Sequence, residues 1–132
     1  PLAVETSCST SDYFPTVLDA LGFQMDGQPE PLDGVSLLPV IHSERDDRPL
    51  PIGFESRSQM AFTRNRYKLI SQDGGDSWEL YDLIEDPGEQ HSIAARNSGT
   101  VAEMRRGLAE WRRSCRESLN GNDYYERSLQ GD

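Results

Sequence analysis

The stretch from Pro51 to Asp82 constrains the fold most, because four strand-like segments follow one another with connections that only hairpins can make. Residues 51–55, 60–64, 67–72 and 78–82 read as strands, joined by Ser56-Arg57-Ser58, Asn65-Arg66 and Asp73-Gly74-Gly75-Asp76-Ser77. A parallel pair needs a crossover of about a dozen residues or more, so these links predict an antiparallel meander. Such a sheet needs a cover on one face. The end of the chain offers one: Val101, Met104, Leu108, Trp111 and Cys115 recur at spacings of 3, 4, 3 and 4, an apolar helical stripe over about 100–118, with Thr100 and Glu103 as a capping box. The expected fold is α+β, a four-stranded antiparallel sheet packed by one long C-terminal helix.

Ahead of the sheet the pattern changes. Phe14, Val17, Leu18 and Leu21 repeat at helical spacing over about 11–22, with Ser9, Thr10 or Ser11 as cap, Pro15 tolerated in the first turn and Gly22 closing the end. This helix is expected to dock on something outside the chain. Residues 23–34, rich in Pro, Gly and acidic side chains, read as a loop leading to a short helical turn at about 35–41, and residues 42–49 as a charged linker. From Asn120 onward the composition suggests a flexible tail.

The last strand runs into an acidic turn, Leu80-Tyr81-Asp82-Leu83-Ile84-Glu85-Asp86-Pro87-Gly88-Glu89. Trp78, Leu80 and Leu83 are expected to face a core, with Glu79 and Asp82 in water. Pro87 lacks an amide donor and restricts Asp86, Gly88 is free to turn, and Ser92 is placed to cap a short helix through Arg96.

The motifs as a set resemble the C-terminal part of the sulfatases, the formylglycine-dependent sulfuric ester hydrolases of the alkaline phosphatase superfamily. Leu80 to Ala94 is similar to that family's L-Y-D-L strand followed by D-P-x-E-x-x-N-L-A, with Ser92 for the usual Asn and Ile93 for the usual Leu. Asp12 to Gly22 is similar to D-x-x-P-T-x-L-x-x-x-G, Asp33 to Pro39 to D-G-x-S-L-L-P, and Arg66 to Ile70 to the y-K-[YL]-I strand. The four segments stand in the family's order. The resemblance implies structural roles for Asp12, Pro15, Thr16, Gly22, Asp33, Gly34, Tyr67, Lys68, Leu80, Tyr81, Asp82, Asp86, Pro87 and Glu89. It also divides the chain into the end of an α/β catalytic region (1–48), a C-terminal subdomain (49–119) and a tail (120–132).

The same resemblance implies that catalysis happens elsewhere. In sulfatases the nucleophile is a formylglycine made within C-x-P-x-R, and a divalent cation, usually calcium, is held by Asp and Asn residues upstream of the segments matched here. Cys8 is followed by Ser9-Thr10-Ser11-Asp12 and Cys115 by Arg116-Glu117-Ser118-Leu119, so neither lies in that motif. No catalytic or metal-binding residue is therefore expected in this chain, and calcium and formylglycine are assigned to an N-terminal catalytic domain. That domain is the expected partner, with a sulfated small molecule or saccharide as the parent's substrate. A phosphoric ester or phosphonate hydrolase of the same superfamily, or a free-standing structural domain, are the alternatives.

Composition agrees. A hydrophobic content of 35% and a mean hydropathy of −0.70 are thin for a self-sufficient core, so part of the apolar surface belongs against something else. The net charge of −10 argues against nucleic acid, and no apolar run approaches the roughly 18 residues of a membrane span, so a soluble piece is expected, with a periplasmic or secreted setting implied by the resemblance alone. Residues 1–44 hold seven carboxylates and no Lys or Arg, whereas residues 105–116 hold five Arg. This pattern reads first as solvated surface and second as a seam between the two ends.

Few residues invite a chemical role. His42, in the charged linker, is the one weak candidate for substrate contact; His91 reads as exposed in a turn. Asp73 and Asp76 read as hairpin-turn residues rather than calcium ligands, and the Arg set of the last helix as an exposed face rather than an anion site. Cys8 and Cys115 are expected to be free thiols, with a mutual disulfide as the lesser alternative.

Overall fold

The structure, a computed structural model, describes residues 5–23 and 33–121. The loop read over 23–34 and the tail from Asn120 lie largely outside these described residues. Four strands, β1 (Ile52–Ser56), β2 (Gln59–Arg64), β3 (Tyr67–Ser71) and β4 (Glu79–Asp82), form one antiparallel sheet in the order β1-β2-β3-β4. A long helix from Ser98 to Leu119 crosses one face. Before the sheet come two shorter helices, α1 (Tyr13–Ala20) and α2 (Leu38–Ile41), so the long one is α3.

The sheet is pinned by two-residue turns whose first residue is left-handed. Arg57 and Asn65 have φ of 56° and 49°, which joins Ser56 to Gln59 and Arg64 to Tyr67 in register. Asn tolerates this backbone readily, and Asn65 uses its side-chain oxygen as well, accepting from the Arg48 amide at 3.1 Å. The longer β3–β4 loop is organised by Asp73, whose carboxylate accepts from the hydroxyls of Ser71 and Ser77 and from the Ser77 amide. Those bonds hold the Asp73 carboxyl well below the usual carboxylate range, the Ser77 hydroxyl contributing most.

Register decides which side chains meet the helix. Gly53, Phe62, Leu69 and Leu80 pair across the four strands and form one row on the α3 face. Phe62, Leu69 and Leu80 join Met60, Met104 and Leu108 in the buried core, with Val101 and Trp111 packed against it. Gly53 is required by shape: a Cβ there would lie 2.2 Å from the Trp111 ring. Gly107 of α3 is close to the same condition, with Phe62 at 2.9 Å.

Two local expectations are corrected. Helix α3 begins at Ser98 rather than Thr100, with Asn97 at the N-cap and no side-chain cap bond, so the Thr100–Glu103 capping box does not form. Glu103 instead meets Arg64 of β2 at 2.6 Å, a long-range pair that outcompetes a local one. Asp82, expected in water, is 8% exposed, because the chain turns back over it and supplies a guanidinium. No helix among the described residues is long and apolar enough to cross a membrane.

Candidate functional site

Two polar clusters gather the motif residues, and a surface groove borders the second. The first is built on α1. A Ser9-capped turn of 3-10 helix over Thr10–Asp12 leads into the helix and brings the Asp12 carboxylate inward, where it is fully buried. One oxygen accepts from the Val35 amide at 2.9 Å and from Nη2 of Arg48 at 2.6 Å; the other accepts from the Ser9 amide at 2.8 Å and Nε of Arg48 at 3.3 Å. Burial alone would raise this carboxyl, but Arg48 and the two amides outweigh it, and the group is held below its ordinary value.

The rest of that motif serves the same junction. Thr16 donates its hydroxyl to the Asp12 carbonyl at 2.6 Å and accepts the Leu37 amide at 3.0 Å, while the Ser36 hydroxyl donates to Asp19. Gly34 passes so close to Ser11 that a Cβ would sit 2.0 Å from its carbonyl oxygen. Gly22, with φ of 69°, closes the helix as its sequence position suggests. Thus Asp12, Thr16 and Gly34 come together, and the segments around Asp12 and Asp33 interlock: Asp12 and Thr16 reach the backbone of Val35 and Leu37, and Ser36 reaches the Asp19 carboxylate. Pro15 lies in the first turn of α1, and Asp33 is exposed.

The second cluster gathers the β4 motif. Asp82 accepts from Nε and Nη2 of Arg66 at 2.7 and 2.5 Å, and its other oxygen takes the Ile84 and Glu85 amides at 3.2 and 3.3 Å. Asp86 takes the Gln90 and His91 amides at 2.9 and 2.7 Å, and Lys68 meets Glu89 at 2.6 Å. Arg66 lowers the Asp82 carboxyl, and the His91 and Gln90 amides lower that of Asp86. Glu89 holds a left-handed φ of 53°, a conformation kept by the bonds on either side of it. Leu80 is core, and Tyr81, opposite Lys68 in the register, is buried on the other face, which pushes its hydroxyl up. Ser92 extends β4 more than it caps: its hydroxyl oxygen accepts the Leu80 amide at 3.2 Å and the Ala94 amide at 3.4 Å, ahead of a 3-10 turn over Ala94–Arg96.

Arg66 of the second cluster borders a groove of about 730 Å³. Arg45, Arg66 and Asn65 line it together with the carboxylates of Glu5, Asp46 and Asp47, and Val40, Leu83, Ile84 and Pro87 supply apolar wall. Two guanidiniums against three carboxylates give no net positive charge, so this surface does not favour a free sulfate. His42 is not among the lining residues; its side chain is exposed, with Nδ1 at 3.9 Å from Glu44.

The expected linker is not a linker at its end. Arg48 is 4% exposed and uses its remaining donors on the carbonyls of Leu50 and Pro51, so it ties Asp12, which also holds the Val35 amide, to the residues just ahead of β1. Sequence reasoning missed it, although a signal existed. With no Lys or Arg in residues 1–44, any cation for Asp12 had to come from further on. The Arg residues of α3 face the sheet or water, not the acidic front: Arg112 pairs with Glu55 at 2.7 Å and Arg105 lies 5.2 Å over the Trp78 ring.

The residues described here do not fit the cofactors that the resemblance implies. Both cysteines are free, and burial pushes the Cys115 thiol up, away from nucleophilic character. Asp12, Asp82 and Asp86 spend their oxygens on guanidiniums and amides. Among the described residues no group of three or more His, Cys, Asp or Glu converges as a metal would require.

Comparison with known proteins gives a consistent context. No protein-family model matches the chain. The Delta 4,5-hexuronate-2-O-sulfatase of Bacteroides thetaiotaomicron is 29% identical over 113 residues, covering 77% of this chain and 23% of that protein. A structure of a 2-O GAG sulfatase is 27% identical with a TM-score of 0.56, covering 92% of this chain and 26% of that one. Ps i-CgsB, at 22% identity, shares the fold with a TM-score of 0.62. The chain is similar to the C-terminal portion of sulfatases, and it spans about a quarter of the length of the relatives it matches.

Proposed function

We propose that this chain is the C-terminal portion of a sulfate-ester hydrolase, and that it buttresses the catalytic region and forms one wall of the substrate cleft without supplying catalytic groups. One observation carries the reading. The motif residues shared with sulfatases, Asp12 and Thr16 on one side and Lys68, Asp82, Asp86 and Glu89 on the other, are spent on hydrogen bonds and ion pairs within the chain, and Gly34 on a close approach to Ser11. Residues used in this way build a scaffold, and their chemistry is satisfied before any substrate arrives.

The parent acts on a sulfated saccharide or small molecule, as the hexuronate-2-O-sulfatase relative does by name. The formylglycine and the divalent cation belong to the region ahead of this chain. Once formed there, the formylglycine would supply the nucleophile, and the bound cation the neutralising charge. The chain alone is inactive.

The test is an aryl sulfate assay with calcium, run on the isolated chain and on the polypeptide that joins it to the region encoded ahead of it. Turnover by the longer polypeptide and none by the chain alone is expected. Turnover by the isolated chain, or a preceding region without C-x-P-x-R, overturns the proposal.

A further inference from the structure

The groove beside Arg66 holds polar groups that the scaffold does not use. Its volume of about 730 Å³ falls within the range of small-molecule sites, about 300–1,000 Å³. Among the described residues, the carboxylates of Glu5, Asp46 and Asp47 and the guanidinium of Arg45 enter no hydrogen bond or ion pair; Asp46 is engaged only through its carbonyl, which accepts the Thr6 hydroxyl at 2.9 Å. Arg66 gives Nε and Nη2 to Asp82 and keeps Nη1. Asn65 accepts the Arg48 amide with Oδ1, which leaves its Nδ2 as a donor.

The walls around these groups are fixed. The Leu83 amide donates to the Arg66 carbonyl at 2.8 Å, and the Ile84 amide to the Asp82 carboxylate at 3.2 Å, so the aliphatic wall of Leu83, Ile84 and Pro87 is tied to the hairpin end that carries Asn65 and Arg66. A ligand therefore meets preformed groups at little ordering cost.

The lining selects among ligand classes. A sulfate or phosphate would meet three carboxylates, and an organic cation would meet two guanidiniums. A planar nucleobase would find no aromatic side chain among the described lining residues, and a metal ion no converging set of His, Cys, Asp or Glu there. An apolar ligand would desolvate the polar groups without pairing them. Hydroxyls suit this lining, because each one donates to a carboxylate and accepts from a guanidinium or an amide. We infer that the groove binds an uncharged saccharide: Arg45, Asp46 and Asp47 exchange hydrogen bonds with its hydroxyls, and Leu83, Ile84 and Pro87 seat the C–H face of a ring. The site takes no sulfate and performs no chemistry, so it does not depend on sulfate-ester hydrolysis elsewhere in the protein.

Titration of the isotope-labelled chain with maltotriose, cellotriose and chitotriose, followed through its amide resonances, tests the inference. Saturable shifts at Ser43, Asn65, Leu83 and Ile84 are expected with at least one of the three sugars. Asp47→Asn and Arg45→Gln, both at exposed positions, should each weaken that binding several-fold while the rest of the amide spectrum stays unchanged. No saturable shift at those four residues with any of the sugars overturns the inference, as does undiminished binding by both variants. Glucose sulfate and spermidine are the charged probes, and tighter binding of either one at the same amides overturns it too. Aryl sulfate turnover by the longer polypeptide is scored separately. Sugar shifts in the groove without turnover keep this site and remove the hydrolase reading; turnover without sugar shifts does the reverse.

Discussion

The region before Pro51 and the region after it are built on opposite principles. Residues 52–121 bury apolar side chains between sheet and helix and put their ion pairs at the margin, as with Arg112–Glu55 and Arg64–Glu103. The α1–α2 region buries an ion pair, Asp12–Arg48, and leaves its apolar side chains outside. The first arrangement is driven by removing apolar surface from water. The second exchanges hydration of two charges for good geometry, which fixes a shape more than it adds stability. The difference teaches that the two regions are held by different means, one by apolar burial between sheet and helix and the other by a buried ion pair.

The largest expected effect comes from breaking the buried pair. Arg48→Met leaves Asp12 buried without its cation and should cost about 3–5 kcal/mol. Amide exchange should accelerate across α1 and the 33–37 segment while β2 and β3 keep their protection. Loss of protection everywhere would mean that the two regions fold as one.

Leu80→Ala probes the other side of the comparison. Leu80 is fully buried in the sheet–helix core, and truncation should cost about 2–5 kcal/mol, read as a fall in denaturation midpoint with faster exchange in α3. A change confined to α1 would contradict the assignment of this core to residues 52–121. Gly53→Ala should be smaller, about 1–3 kcal/mol, because the Trp111 ring must move to admit a methyl group. Its marker is a shifted Trp emission.

Acid should reveal the difference without a mutation. The Asp12 carboxyl is lowered in the folded chain, as are those of Asp82 and Asp86, so their contribution is present above the unfolded carboxylate range near pH ~4 and is lost as pH falls through the folded values. The α1 region depends on Asp12 directly, and its amides should lose protection at a higher pH than those of β2 and β3. Simultaneous loss would show that Asp12 holds no more than the hairpin carboxylates do. The smallest effect is expected for Lys68→Met, up to about 1 kcal/mol, since its pair with Glu89 is part-exposed. Its sign of success is local: faster exchange at Gln90 and His91 with little change in the midpoint.

How much of this was legible depends on the range of the interaction. The four strands appear within one or two residues of their expected spans, and the stripe from Val101 to Trp111 packs as its spacing implies, because period and turn length are local properties of the chain. Gly22 and Pro15 likewise act where they stand. Partners distant in sequence were not legible. Nothing local links Asp12 to Arg48, 36 residues away, or Lys68 to Glu89, and a carboxylate between apolar neighbours, Asp82, looks the same whether it meets water or a guanidinium.

By itself, then, the sequence determined the antiparallel meander, the covering helix and the likeness to the end of a sulfatase. Only the tertiary structure decided that the motif carboxylates are internal fasteners, that Arg48 is the hub of the N-terminal region, and that α1 shows its apolar face to the outside. The physical reason is that alternation and helical spacing state which residues share a face, but not which way that face is turned. That choice is made by whichever distant groups satisfy the buried polar atoms, and here Arg48, Val35 and Leu37 claimed the polar side of α1.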